Sequence, residues 1–150
     1  MTIQQHTTQV IPYKIGIRRS TRQVKVGSIP IGGNAPISVQ TMTKTKTDDV
    51  TGTVKQIVDA YEAGADIVRV TVNDKEAADS IVDIVRQSPV PIVADIHFNH
   101  IFALKAIESG VAKVRLNPGN IGSKDRIQQV LSAAKDKGIP IRIGVNSGSL

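Results

Sequence analysis

From residue 37 onward, short runs rich in β-branched residues alternate with longer stretches of helical periodicity, and this alternation restricts the fold more than any other feature of the sequence. A strand, then a helix, then a strand, repeated, is the pattern of a parallel sheet with crossover helices. The predicted strands are 37–42, 66–72, 91–97, 112–117 and 140–146. Between them, Thr47-Asp48-Asp49 can cap and charge a helix that runs to Ala63 and stops at Gly64. Asn73-Asp74 opens the next, with Ala77, Ile81, Ile84 and Val85 on one stripe and Pro89 beyond its end. Gly110 and Gly138 end two more, and Ser123 is the predicted cap of the last, which carries Ile127, Val130, Leu131 and Ala134 at 3–4 spacing. Ahead of these units, 24–33 reads as a small hairpin turning at Gly27-Ser28, preceded by the basic stretch Arg18, Arg19 and Arg22.

Successive strand residues point to opposite faces, so parity sorts each strand into two rows. One row is apolar: Ile37, Val39 and Thr41; Val68, Val70 and Val72; Ile92, Ala94 and Ile96; Val114 and Leu116; Ile141, Ile143 and Val145. The covering helices are expected there. The other row holds Ser38, Gln40 and Met42; Ile67, Arg69 and Thr71; Val93, Asp95 and His97; Lys113, Arg115 and Asn117; Arg142, Gly144 and Asn146. An open doubly wound sheet has helices on both faces and needs apolar residues on both. A closed (β/α)₈ barrel covers only its outside and lets inward residues near the strand C-termini turn polar. The expected fold class is therefore α/β, a TIM barrel. Such barrels take about 250 residues and eight strands. Five strands leave the barrel incomplete, with open edges, and the chain by itself is expected to aggregate or remain molten.

The polar row sets Arg69, Lys113, Arg115 and Arg142 against one carboxylate, Asp95, a surplus of three positive charges when His97 is neutral. Desolvating unpaired cations costs several kcal/mol each, so such a lumen should receive an anion. Diphosphate matches, because the planar fork of arginine binds phosphate oxygens bidentately. The alternative is that acidic residues on the remaining strands neutralise the cations internally. Asp95 and His97, two apart on one strand, can transfer protons, orient a hydroxyl or supply two ligands to a metal, for which no further ligands are visible nearby. The loop 117–122, Asn-Pro-Gly-Asn-Ile-Gly, offers backbone N–H groups to an anion, although ordinary turn chemistry accounts for it equally well. The threonine- and lysine-rich loop 43–47 is either a solvated connector or a phosphate cover.

Composition removes several other classes. The chain has no cysteine, which excludes a disulfide framework, a thiol nucleophile and thiolate-held metal built from these residues. Its apolar runs fall well short of the roughly 18–20 residues that span a bilayer, and residues 1–9 lack the apolar core of a secretory signal, so a cytoplasmic protein is the default. A formal charge of +6 admits nucleic acid as a partner, but two Phe, two Tyr and no Trp give little for bases to stack on.

The ordered segments RRSTRQVKVG, PISVQTMT, GADIVRVTV, PIVADIHF, VRLNPGNIG and PIRIGVNSGSL resemble the N-terminal barrel of the bacterial 4-hydroxy-3-methylbut-2-enyl diphosphate synthase family from Arg18 to Leu150. The resemblance implies an oxidoreductase of the methylerythritol phosphate route to isoprenoids. Its substrate would be 2-C-methyl-D-erythritol 2,4-cyclodiphosphate, its electron donor ferredoxin or flavodoxin, and its full-length form a homodimer. It also implies a 4Fe-4S cluster on three cysteines and a glutamate in a C-terminal domain that this chain does not contain, so the chain alone is expected to be inactive. Residues 1–36 become a basic extension with a hairpin, and 37–150 the first part of the barrel. Carried over by position, Arg69, Arg115 and Arg142 resemble the diphosphate clamp, Asn117 and Asn146 add hydrogen bonds, and Asp95 and His97 resemble the pair facing the bound ring. A pterin-diphosphate barrel of the dihydropteroate synthase type is the enzymatic rival, and a basic nucleic-acid-binding module the non-catalytic one.

Overall fold

A computed structural model describes residues 19–145, so Arg18, His6 and Asn146 lie outside the described residues. Two strands, β1 (Val24–Val26) and β2 (Ile29–Ile31), form the hairpin. Five more, β3 (Gln40–Met42), β4 (Ile67–Val72), β5 (Ile92–Ile96), β6 (Lys113–Leu116) and β7 (Ile141–Ile143), form one parallel sheet in sequential order. The helices between them are α1 (Val50–Glu62), α2 (Lys75–Gln87), α3 (His100–Glu108), the short α4 (Pro118–Ile121) and α5 (Lys124–Asp136). Sequential order with a helix in every crossover is the topology of a barrel wall, and the five strands make an incomplete one.

Local chemistry sets the helix ends. Asp49 caps α1 by accepting from Gly52 N at 2.9 Å, and Asp74 caps α2 by accepting from Ala77 N at 2.8 Å, each satisfying a donor that the first turn leaves free. Gly64, at φ 97°, turns the chain out of α1 in a conformation that a side chain would strain. Asn99 caps α3, its Oδ1 accepting from Ile101 N at 2.9 Å, and His100 is the first helical residue. Ser123 occupies the cap position of α5 without making the side-chain hydrogen bond expected of it.

The apolar row meets the helices where the sheet has neighbours on both sides. Val68, Val70, Val72, Ile92, Ala94, Ile96, Val114 and Leu116 are buried against Ile57 of α1, Ile81 and Ile84 of α2, Ala103 and Ile107 of α3, and Val130 of α5. Each fully buried branched side chain contributes about 1.5–3 kcal/mol. At the margins the expectation fails. Ile37 is 79% exposed, and Val39, Ile143 and Val145 are also exposed, because β3 and β7 each have one neighbouring strand among the described residues and none of those residues covers their outer flanks. The strands shorten there too, to three residues each, since a strand needs a partner to satisfy its backbone. Leu131 likewise leaves its stripe for solvent, while Val130 and Ala134 stay buried.

The hairpin is not a separate appendage. Val26 is buried with Ile67 and Val93, two apolar residues in the otherwise polar row, and Ile29, Ile31 and Ala112 pack around them. Its turn residue Gly27, at φ 58°, lies so close to Pro91 and Ala112 that a Cβ there would sit 3.0 Å from the proline ring. The hairpin therefore covers the N-terminal end of the face opposite the helices, leaving the C-terminal end for polar side chains. No helix among the described residues is long and apolar enough to cross a membrane.

Candidate functional site

Strand register assembles the polar row. Asp95 is level with Arg115 on one side and Thr71 on the other, and Arg115 is level with Arg142. Arg69 sits beside Met42 and Val93, one step nearer the hairpin. The Asp95 side chain is only 5% exposed, and it serves two guanidinium groups at once. Arg115 Nη1 donates to Oδ1 at 3.0 Å, and Arg69 Nε lies 3.4 Å from Oδ2. Arg69 also donates from Nε and Nη2 to Met42 Sδ at 3.3 and 3.2 Å, a soft acceptor that steadies the fork without neutralising it. Arg142 is exposed and forms no ion pair among the described residues. Two of the three arginines thus share a single counter-ion and the third has none, so the row keeps its positive surplus.

His97 Nε2 stands 3.8 Å from Asp95 Oδ1, beyond hydrogen-bond range, with its ring edge-on to Phe98. It faces the open end, and its side chain is 38% exposed. Asn117 is buried, and its Oδ1 accepts from Gly119 N at 3.1 Å. That contact caps α4, so the loop 117–122, open to reading as an anion-binding segment or an ordinary turn, contains a short helix with Pro118 in its first turn. Loop 43–47 is pinned: Thr47 Oγ1 donates to Thr71 O at 2.6 Å, Thr53 Oγ1 to Lys46 O at 3.1 Å, and Lys44 N to Gln56 Oε1 at 2.8 Å. Lys44 and Lys46 remain exposed beside a cleft of about 310 Å³ at the C-terminal end of β4.

Beneath the arginines lies Lys113, 8% exposed, whose Nζ is 3.4 Å from Gln40 Oε1 and has no carboxylate partner among the described residues. Burial, followed by repulsion from Arg142 and Arg69, holds its pKa below the ordinary lysine value of 10.5. A group whose folded pKa is depressed binds fewer protons folded than unfolded between that pKa and 10.5, so stability rises with pH through this window. Lys113→Met is accordingly expected to stabilise the protein at pH 7 by on the order of 1 kcal/mol. The gain should vanish as pH approaches 10.5, which thermal melts of both proteins across that range will check.

Residues 21–150 match the family described as the GcpE TIM-barrel domain. The chain belongs to the GcpE barrel family. Among relatives of this GcpE barrel, 4-hydroxy-3-methylbut-2-en-1-yl diphosphate synthase (flavodoxin) of Ruegeria pomeroyi is 58% identical over 141 residues, covering 94% of this chain and 38% of that protein. The proteins of the same name from Clostridium perfringens and Hahella chejuensis are 58% identical over 133 residues, covering 89% of this chain and 38% and 36% of theirs. The GcpE chain thus spans somewhat over a third of the length of these relatives. Among solved structures, dihydropteroate synthase of Xanthomonas albilineans superposes with a TM-score of 0.58 at 15% identity, covering 84% of this chain and 50% of that one. At that identity the likeness shows a shared fold and nothing of chemistry.

In this GcpE barrel the structure brings together Arg69, Asp95 and Arg115, with His97 at the rim and Arg142 in register on the next strand. It engages Asn117 locally, and Asn146 lies outside the described residues. Sequence reasoning gave no role to Met42 or to the Lys113–Gln40 contact. Parity placed all three on the right face, but the Lys113–Gln40 contact joins the non-adjacent strands β6 and β3, and the Arg69–Met42 contact depends on side-chain rotamers, neither of which the residue pattern supplies.

Proposed function

We propose that this chain is the substrate-binding part of a 4-hydroxy-3-methylbut-2-enyl diphosphate synthase, in which it holds 2-C-methyl-D-erythritol 2,4-cyclodiphosphate. The observation that carries this reading is one nearly buried carboxylate shared by two guanidinium groups, with a third arginine and a buried lysine that have no carboxylate partner among the described residues. Such a cluster is held in place by its own carboxylate, yet keeps positive charge for a polyanion. Membership of the GcpE barrel family supports assigning that polyanion as the cyclodiphosphate.

In the proposed reaction the ring opens reductively, taking up two electrons and two protons and releasing one water. Arg69, Arg115 and Arg142 bind and orient the diphosphate, assisted by Asn117 and Asn146. Asp95, committed to two guanidinium groups, positions them beside the ring, and His97, exposed at the rim, is the group able to exchange protons with solvent. The residues present do not fit a 4Fe-4S cluster. The chain has no cysteine, and no three His, Asp or Glu side chains converge among the described residues. In this proposal residues 1–36 are the basic extension and hairpin, 37–150 the first part of the barrel, and the cluster belongs to a C-terminal domain of the same cytoplasmic homodimer. The donor is flavodoxin, as the relatives' names carry, or ferredoxin.

Calorimetric titration tests the substrate assignment. The complete protein containing this chain is expected to bind the cyclodiphosphate and to ignore both a pterin diphosphate and duplex DNA at physiological salt. Binding of the pterin in preference would favour the dihydropteroate synthase reading, which nothing beyond fold supports. Retention on DNA with steep salt dependence would favour the nucleic-acid module.

A further inference from the structure

Gly144 immediately follows β7, and its N–H donates to Leu116 O at 2.9 Å, which continues the β6–β7 pairing one residue past the strand. Its parity is that of Arg142, so it faces the polar row. A Cβ built on Gly144 would fall 2.7 Å from Arg115 Nη2 and 2.9 Å from Cζ, and closer still to Nε. The three nearest atoms to that position all belong to Arg115. Gly144 has no left-handed φ to justify a glycine, so its backbone conformation does not require one. What requires it is space.

We infer that Gly144 is a positioning residue for the diphosphate site, the bare stretch of backbone on which the Arg115 guanidinium lies. The group is fixed from two sides. Asp95 on β5 holds Nη1 at 3.0 Å, and the Nε and Nη2 edge rests over Gly144. Any side chain at 144 occupies the place of the guanidinium. The backbone there is tied to β6, whereas arginine is flexible, so Arg115 is the part that moves, and moving it breaks its bond to Asp95. Arg69 then keeps the carboxylate to itself, and the fork no longer stands where a phosphate would meet it.

This inference rests on the diphosphate reading, and the test separates the two. Affinity for the cyclodiphosphate is measured by calorimetry in the complete protein for wild type, Gly144→Ala, Arg115→Ala and the double variant. Gly144→Ala is expected to weaken binding about tenfold, because the three atoms nearest the added Cβ all belong to Arg115. In the Arg115→Ala background, where the space is vacated, the same substitution is expected to change affinity less than twofold. That loss of effect is what a general structural role would not produce. The double variant also removes the clash, so it reports even where Gly144→Ala alone folds poorly. If Arg115→Ala abolishes binding while Gly144→Ala leaves it intact, or if the two losses add in full, the positioning role is overturned. If Arg115→Ala itself leaves binding unchanged, the diphosphate reading fails instead.

Discussion

Arg115→Ala is expected to weaken cyclodiphosphate binding about 100-fold, close to 2.7 kcal/mol, the value of charge-assisted hydrogen bonds lost from a partly desolvated site. Arg142→Ala should produce a loss of the same order. The two arise differently. Arg115 has a 15% exposed side chain anchored on Asp95, so it offers a pre-oriented fork with little conformational entropy left to lose. Arg142 is exposed and unpaired among the described residues, so the ligand itself must order it, but no counter-ion has to be surrendered. Rising salt should therefore erode the Arg142 contribution more than that of Arg115. Titration of each variant at two ionic strengths checks this, and an Arg115 variant with undiminished affinity would remove the basis for the site.

Asp95→Asn is expected to destabilise the complete protein by about 2–3 kcal/mol. Breaking a buried ion pair from one side strands the opposite charge, at about 3–5 kcal/mol, and here two charges are stranded together. The figure is reduced because Arg69 and Arg115 keep 27% and 15% of their side-chain surface in water. The destabilisation should shrink when Arg115→Met is added, because one of the stranded cations is then gone. Denaturant melts of the two single variants and the double variant measure the coupling. Additive effects would mean that Asp95 stabilises the fold through something other than these two arginines.

Much of the architecture was legible from periodicity because each strand buries a single face. Val68, Val70 and Val72 declare one side of β4, and Arg69 and Thr71 the other. Caps at Asp49 and Asp74 were readable because their side chains act within three residues. What escaped was long-range. Ile67 and Val93 fall in the polar row by parity, and their burial comes from the hairpin packed on them, a contact that joins residues far apart in sequence. The exposure of Ile37 and Val145 depends on which strands lie beside β3 and β7, which side-chain pattern alone does not decide. Within the site, charge pattern identified Arg69, Asp95 and Arg115, but not that one carboxylate is divided between two partners, since that depends on rotamers.

The hairpin seated on Ile67 and Val93 gives the site a direction. With hydrocarbon packed beneath β4 and β5, the polar side chains of these two strands stand on a sealed base. Along this part of the wall, the proposed ligand would approach from the side of the strand C-termini.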